Sequence, residues 1–201
     1  MIKVLHYLRH LGLGGTEKTC QLFFEHANSL DFQVAVVYDK HGNHPRMEEF
    51  RKSCSVNSGL MYSVDSYSSG NPDARDLQMV IDNFKPDIFH VYRSGYHEFP
   101  SPGHHIHVPH FVETNVFGFY DNNAHIDKSL FMSKWLMDNT VGKLGFTPDR
   151  FDFVNNPVEM PCTNEKFELC VSSDVFILGR NGRQDDGVYD NINVLAAKTL
   201  I

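Results

Sequence analysis

The chain has 201 residues, enough for one large or two small domains, and its content of 41 % hydrophobic and 21 % charged residues is that of an ordinary globular protein. A formal net charge of −7 leaves no basic excess to neutralise phosphates, which argues against a general nucleic-acid binder. No stretch approaches the roughly 18 consecutive apolar residues of a membrane span, and no leader pattern precedes the first strand, so we expect a cytoplasmic protein. The four cysteines lack C-x-x-C spacing, and we expect them to be reduced thiols.

Strand and helix patterns alternate along most of the chain. Apolar runs rich in β-branched and aromatic residues predict strands, and apolar residues three and four positions apart predict helices. The predicted strands cover residues 2–8, 32–38, 59–64, 88–92, 105–113, 128–132 and 151–157. The predicted helices cover residues 16–30, 46–52 and 72–84, followed by a short helix that Ser133 caps.

This order of elements predicts an α/β fold with a Rossmann-like, doubly wound and mostly parallel sheet. In such a sheet the loops that follow the strands share one edge, and ligands bind there. We expect residues 1–160 to form this N-terminal domain and residues 161–174 to be a linker. Residues 175–201 repeat a strand, a glycine-bearing turn and a helix pattern, so they are expected to open a second domain.

The loop between the first strand and the first helix contains Gly12, Gly14 and Gly15. Such a turn presents free N–H groups and a positive helix end to an anion, although glycines also serve tight turns for backbone reasons alone. Two of the glycines match the G-x-G-x-x-G dinucleotide fingerprint, but Glu17 occupies the third position, where a carboxylate would repel a pyrophosphate. Asp39 lies where an acid that binds ribose is expected, so an NAD-dependent enzyme is one alternative.

Six segments, in order, resemble the GT-B glycosyltransferases, in particular the large retaining family four. The first is the G-G-x-E loop, and the second resembles the family's K-P-D-I-v-H-v strand. The six segments are residues 14–17, 85–91, 112–118, 129–133, 154–158 and 176–180. None is specific by itself, but their shared order over nearly the whole chain is a strong combined signal.

The resemblance implies two facing Rossmann-like lobes, with this chain supplying the N-terminal, acceptor-side lobe of a GT-B fold and the first strand and helix of the donor lobe. It places four residues near the donor's diphosphate and sugar, namely Gly14, Gly15, Thr16 and Glu17. Arg180 and Arg183 would contact the donor phosphates, although acidic residues stand where the family has Lys-Gly. On the acceptor side the candidates are Arg93 and Asn115, with His110 and Glu113 as candidate catalytic groups.

The reaction implied by the resemblance is transfer of a hexosyl-type sugar from a nucleotide-sugar donor to a hydroxyl of a glycan, lipid-linked or small-molecule acceptor. It implies no essential metal or other cofactor and no nucleic-acid partner, and it is compatible with peripheral association with a membrane. Because the pattern stops one helix into the donor lobe, most of the donor contacts are missing from it, and we expect the 201-residue chain alone to be inactive. The alternative from another class is a non-catalytic or truncated Rossmann-like module that binds nucleotides or sugars.

Four histidines lie within seven residues, at His104, His105, His107 and His110. On a strand, His105 and His107 would share one face at a spacing that can ligate zinc, with Glu113 as a further ligand. Solvated or hydrogen-bonded histidines on a strand edge explain the same pattern more simply. We therefore expect no tightly bound metal at this cluster.

Overall fold

The computed structural model describes residues 1–27, 31–65, 74–93, 98–101, 106–144 and 148–157. The chain divides into two compact units, Met1–Glu159 and Met160–Ile201, and the second lies wholly outside the described residues. The expected linker, the expected opening of a second domain, and Arg180 and Arg183 therefore lie outside the described part, and the division into domains stays a prediction.

The described residues form seven strands and four α-helices. The strands are β1 (Ile2–Leu8), β2 (Phe32–Asp39), β3 (Leu60–Val64), β4 (Ile88–Arg93), β5 (His110–Asn115), β6 (Lys128–Phe131) and β7 (Phe151–Phe153). The helices are α1 (Gly15–His26), α2 (Met47–Asn57), α3 (Arg75–Phe84) and α4 (Lys134–Leu144), and a 3₁₀ turn, Pro148–Arg150, precedes β7. Within the described ranges, none of these helices is long and apolar enough to cross a membrane.

All seven strands are parallel and lie in the order β3-β2-β1-β4-β5-β6-β7. The expected α/β class with a Rossmann-like, doubly wound sheet is confirmed. The strand order reverses beside β1, which has β2 on one side and β4 on the other. A reversal of this kind opens a crevice outside the carboxyl ends of the two strands, and ligands bind there.

Two boundaries of the sequence analysis are wrong by five residues: α2 ends at Asn57 and not at residue 52, and β5 begins at His110 and not at residue 105. Pro109 has no N–H to donate to a neighbouring strand, so the ladder starts one residue after it. Ile106, counted in the predicted strand, is instead a loop residue buried in the core. The expected cap of α4 is confirmed, because the Leu136 N–H donates to Ser133 Oγ at 3.1 Å.

Side chains of β1 alternate between two hydrophobic clusters, one on each face of the sheet. On the first face, Leu5 and Tyr7 pack in a cluster with Leu77 and Ile81 of α3. On the second face, Val4 and Leu8 pack in a cluster with buried residues of α1 and α2, including Phe24, Phe50 and the two free thiols of Cys20 and Cys54. Burial raises the pKa of both thiols, that of Cys54 to about 11, so they are inert as nucleophiles.

Two histidines lie side by side on the second face in the middle of otherwise apolar strands. His6 of β1 is in register with His90 of β4, and their ring centroids are 5.1 Å apart. His90 Nε2 lies 2.7 Å from Thr114 Oγ1 of β5. Burial lowers the pKa of His90 to about 4 and, with a smaller contribution from His90, lowers that of His6 well below its ordinary value. Both rings are therefore neutral at physiological pH.

The depressed pKa of His90 predicts that acidification destabilises the fold. Between about pH 6.5 and pH 4 the unfolded chain protonates this ring and the folded chain does not, so stability falls as pH falls, by up to about 3 kcal/mol from this group. His90→Gln should reduce the slope of unfolding free energy against pH in this window, measured by urea unfolding at several pH values. The matched control is His110→Gln, because His110 is largely exposed. Equal slopes for His90→Gln and the unsubstituted chain would contradict the prediction.

Candidate functional site at the carboxyl edge of the sheet

The loop after β1 leads directly into the amino terminus of α1 beside the β1–β4 crevice. Gly14 is the N-cap residue, with φ −68° and ψ 165°, and no side chain caps the helix there. The Lys18 N–H donates to the Gly14 carbonyl oxygen at 3.2 Å, which is the first helical bond. The N–H groups of the residues before Lys18 in the first turn, Gly15, Thr16 and Glu17, have no partner within the helix, so they are available to an anion.

Two glycines of this loop differ in what surrounds them. The Glu17 carboxylate folds back over the loop, and a Cβ placed on Gly14 would lie 2.5 Å from Glu17 Oε2. A Cβ placed on Gly15 would meet no atom within 4 Å. Gly15 is exposed, so its backbone is open to close approach by a ligand. The structure thus places Gly14, Gly15, Thr16 and Glu17 at the crevice, as one continuous turn.

The loop between β1 and α1, which carries Gly12, Gly14 and Gly15 and is called the glycine loop below, is held in position by the loop after β2. The Leu11 N–H donates to His44 Nδ1 at 3.1 Å, and the Arg46 N–H donates to the Leu11 carbonyl oxygen at 3.0 Å. Beside these contacts, burial and the neighbouring Arg9 and His44 lower the pKa of His10. The loop that carries Gly14 and Gly15 is therefore fixed by specific contacts rather than by its glycines alone.

Arg93 lies at the carboxyl end of β4, buried with two carboxylates on the first face. Its Nη1 lies 3.0 Å from Asp121 Oδ2 and 3.4 Å from Glu113 Oε2, and its Nη2 donates to the Pro100 carbonyl oxygen. Ser129 Oγ donates to Glu113 Oε1 at 2.5 Å, and the Asp121 N–H donates to the same oxygen at 3.3 Å. Arg93, Glu113, Asp121 and Ser129 are each 2 % exposed or less. We call these four residues the arginine cluster.

Among the described residues of the arginine cluster, the Arg93 guanidinium lies against two carboxylates, those of Glu113 and Asp121. Burial raises the pKa of Glu113 above its ordinary value, although Arg93 and the hydrogen bond from Ser129 favour the charged form. Glu113 has no route to solvent in the described structure, being 0 % exposed. The cluster joins β4, β5 and β6 to the loops that follow β4 and β5, so its chemistry is that of a scaffold.

Asn115 and His110, the two ends of β5, lie at opposite edges of the sheet. Asn115 is at the carboxyl edge, fully buried, and both side-chain atoms lack a hydrogen-bond partner among the described residues. His110 is at the amino edge, where its Nδ1 lies 3.6 Å from Asp127 Oδ2 and its side chain is 65 % exposed. The structure therefore groups Arg93, Glu113 and Asn115 and separates His110 from them.

Sequence reasoning missed Asp121 and Ser129, which complete the arginine cluster. Asp121 has no motif around it, and only the three-dimensional loop path brings it under β4; Ser129 begins one of the six resembling segments, but nothing in that segment pointed to a contact with Glu113. The histidine pair His6 and His90 was also missed, although a polar residue at the centre of each apolar strand was a visible signal. Of the histidine-rich segment, residues 104 and 105 lie outside the described part, and within the described ranges no group of three or more His, Cys, Asp or Glu side chains is placed to hold a metal ion.

Comparison with known proteins bears on the fold. No protein-family model and no curated protein sequence matches the chain. The structure is similar to that of a glycosyltransferase from Rickettsia africae ESF-5, with a TM-score of 0.52 and 12 % identity, over 77 % of this chain and 42 % of that protein. A UDP-N-acetylglucosamine 2-epimerase matches at a TM-score of 0.44 and 11 % identity, over 77 % of this chain and 48 % of that protein. The chain thus spans less than half the length of both proteins, and the likeness to the glycosyltransferase shows a shared fold.

Removal of the guanidinium from the arginine cluster should be far more damaging than removal of one carboxylate. Arg93→Met removes the guanidinium that pairs with the buried carboxylates of Glu113 and Asp121, and we expect a loss of about 3–5 kcal/mol in unfolding free energy. Glu113→Gln keeps the Ser129 and Asp121 hydrogen bonds possible and removes one buried negative charge, so it should cost less than about 1 kcal/mol. Urea unfolding at neutral pH measures both.

The control for this comparison is Arg51→Met, since Arg51 pairs with Glu48 on the exposed surface of α2. That substitution should change the unfolding free energy by less than about 0.5 kcal/mol. Equal costs for Arg93→Met and Glu113→Gln would show that the Arg93 guanidinium does not govern the stability of the cluster.

Proposed function

We propose that this chain supplies the acceptor-side lobe of a nucleotide-sugar-dependent glycosyltransferase of the GT-B type, similar to the retaining family four. The observation that carries the proposal is the open, exposed position of Gly15 at the start of α1, beside the strand-order reversal. This placement favours an anionic ligand, because first-turn N–H groups and the helix dipole both stabilise negative charge. A fold shared with a glycosyltransferase supports the same assignment.

In the proposed reaction, the bond between the anomeric carbon and the donor diphosphate breaks and a bond to an acceptor hydroxyl oxygen forms, while the hydroxyl proton passes to an oxygen of the departing diphosphate. The first turn of α1 would stabilise the negative charge that develops on the diphosphate. Arg180 and Arg183 would add positive charge there, and the Glu17 carboxylate would accept hydrogen bonds from sugar hydroxyls. The proposal includes no metal or other cofactor, a hydroxyl acceptor, and a cytoplasmic or membrane-peripheral location.

The acceptor-side assignments change with the geometry. Arg93 and Glu113 are occupied by their contacts in the arginine cluster, so we assign them a scaffold role and no contact with substrate. His110 lies at the amino edge, away from the β1–β4 crevice, and is not proposed as a catalytic group. Asn115 stays an acceptor-side proposal only from the resemblance, because its side chain at the carboxyl edge is fully buried, with neither amide atom hydrogen-bonded among the described residues.

A dinucleotide cofactor receives less support from the same loop. Glu17 occupies the position of the third glycine of the dinucleotide fingerprint, which that fold needs for close packing of the helix against the strand. Asp39 is 4 % exposed, and its Oδ1 already accepts the His41 N–H at 2.9 Å. Both features disfavour an NAD site. A non-catalytic binding module would bind at the same loop, and it differs from the proposed transferase lobe in tighter binding by the 201-residue chain alone and in the absence of turnover.

The binding test uses two glycines that both lie in helices with open space around them. At both positions an added Cβ meets no atom within 4 Å, so neither substitution disturbs the fold. Gly15→Ala should block close approach of a nucleotide sugar, because Gly15 lies at the proposed site, while Gly142→Ala in α4 should not. Neither change should lower the melting temperature, since alanine is favoured over glycine in helices by up to about 1 kcal/mol. Amide chemical shifts of residues 14–17, recorded while uridine, guanosine and adenosine diphosphate sugars are titrated in, report binding.

We expect the unsubstituted 201-residue chain to bind weakly, on the order of millimolar or about −4 kcal/mol, because exposed charge–dipole contacts contribute only about 0.3–1 kcal/mol each. Transfer to an acceptor should require the donor lobe, supplied in the same chain or in trans. Shifts that persist in Gly15→Ala, or that fall outside residues 14–17, would refute the proposed site. Micromolar binding by the 201-residue chain alone would instead favour a self-contained binding module.

A further inference from the structure

The glycine loop is attached to the rest of the fold at Leu11. This residue is 0 % exposed and belongs to the hydrophobic cluster of the second face. The Leu11 carbonyl oxygen accepts the Arg46 N–H at 3.0 Å, and the Leu11 N–H donates to His44 Nδ1 at 3.1 Å. Arg46 Nη2 also lies 3.5 Å from the Leu13 carbonyl oxygen. The loop between β2 and α2 therefore holds the backbone of the chain immediately before Gly14.

Of these contacts, the one with His44 can be removed by a proton within the physiological range. A backbone N–H is always a donor, so the imidazole nitrogen that it reaches is the acceptor and carries no hydrogen. The imidazolium form has an N–H at both nitrogens and accepts at neither. Protonation of His44 at Nδ1 would therefore set an N–H against the Leu11 N–H, and the hydrogen bond would be lost. The contacts made by Arg46 use a backbone N–H and a guanidinium, which keep their protons.

The ring of His44 is held in place by its neighbours. The Tyr38 ring, at the end of β2, meets it edge to face with the centroids 4.9 Å apart, and the His10 ring centroid lies 6.5 Å away. The Gly42 backbone packs against both imidazoles, because a Cβ there would lie 2.6 Å from His10 Nδ1 and 3.2 Å from His44 Nε2. His44 Nε2 has no hydrogen-bond partner among the described residues. The packing thus aims Nδ1 at Leu11, and no acceptor among those residues stabilises a positive charge at the other nitrogen.

Charged groups of both signs lie around His10 and on the loop that carries His44. They are Arg9, Glu17, Asp39, Arg46 and the pair formed by His41 and Asp65. Burial and Arg9 lower the pKa of His10 more than Asp39 and Glu17 raise it, so His10 resists protonation. Asp65 is paired with His41, and Asp39 accepts the His41 N–H, so each of these carboxylates is engaged away from His44. The proton that acts on the glycine loop is therefore the one at His44.

We propose that His44 positions the glycine loop for an anionic ligand and that a proton on its Nδ1 releases the loop. Histidines change their charge between about pH 5 and 8, so the release belongs to that range. Without the hydrogen bond to His44, the first-turn N–H groups would lose their fixed direction, and anion binding would weaken as the pH falls. Added positive charge near the loop would by itself strengthen anion binding, so the direction of the change separates release from simple attraction. The effect on binding rests on the proposed function, whereas the release of the loop does not.

The first experiment detects the hydrogen bond without any ligand, in the 201-residue chain labelled with ¹⁵N. An N–H···N bond transmits a scalar coupling between its two nitrogens. We expect this coupling between the Leu11 amide and His44 Nδ1 at about pH 7.5, and its loss together with a shift of the Leu11 amide signal at about pH 5.5. In His44→Asn an amide oxygen replaces Nδ1 and does not titrate, so the Leu11 signal should keep its position. A coupling that persists at the lower pH, or an equal Leu11 shift in His44→Asn, would overturn the proposal.

The second experiment titrates in uridine diphosphate glucose, whose diphosphate keeps its charge over this range, and follows the amide signals of residues 14–17. Between about pH 7.5 and pH 5.5 the dissociation constant should rise by about threefold or more in the unsubstituted chain and in the exposed-histidine control His110→Asn, and by less than about 1.5-fold in His44→Asn. His44→Phe keeps a ring against Tyr38 but has no acceptor, so it should bind weakly at both pH values. Equal or tighter binding by the unsubstituted chain at the lower pH would overturn the effect of His44 on binding. No saturable binding at either pH would overturn the proposed anion site, and the coupling to Leu11 would then still decide whether His44 releases the loop.

Discussion

The carboxyl edge of this sheet depends on one buried guanidinium. Arg93 joins the end of β4 to Glu113 of β5, and through Asp121 and the Pro100 carbonyl it fixes the loops that follow both strands. Elsewhere in the fold, helices make such connections and hydrophobic packing holds them. Here, in the described residues, the loop after β5 contains no helix, so charge and hydrogen bonds replace part of that packing.

This constraint decides which residues are free for chemistry. A carboxylate in a predicted ligand-binding loop suggests a base, but Glu113 points beneath the sheet and uses its oxygens on Ser129, on the Asp121 backbone and on Arg93. The glycine loop is the opposite case. Its backbone is exposed at the crevice, and its position is set from outside by His44 and Arg46. Function is therefore proposed at backbone groups near α1 and not at the charged side chains of β4 and β5.

The sequence was a good guide to the sheet and a poor guide to the roles of polar residues. Apolar runs predicted every strand because a parallel sheet buries both faces, and glycine and proline marked most turns. The start of β5 was misplaced because an apolar loop residue, Ile106, looks like a strand residue until Pro109 is considered. The role of Arg93 could not be predicted, since its partner Asp121 is 28 residues away and lies beside it only after the loop has folded.

Helix α1 contributes both to the packing of the second face and to the carboxyl edge of the sheet. The buried side of α1 packs Cys20 and Phe24 into the second cluster, and its amino terminus lies at the crevice. Thr16 and Thr19 line a cavity of about 520 Å³ on the second face. A ligand on Gly15 would therefore contact a turn that also packs against the sheet. Thr19 Oγ1 lies 2.9 Å from the Gly15 carbonyl oxygen and 3.3 Å from Asn156 Oδ1, so the one hydroxyl hydrogen of this turn can be donated either to the glycine loop or to the segment that follows β7.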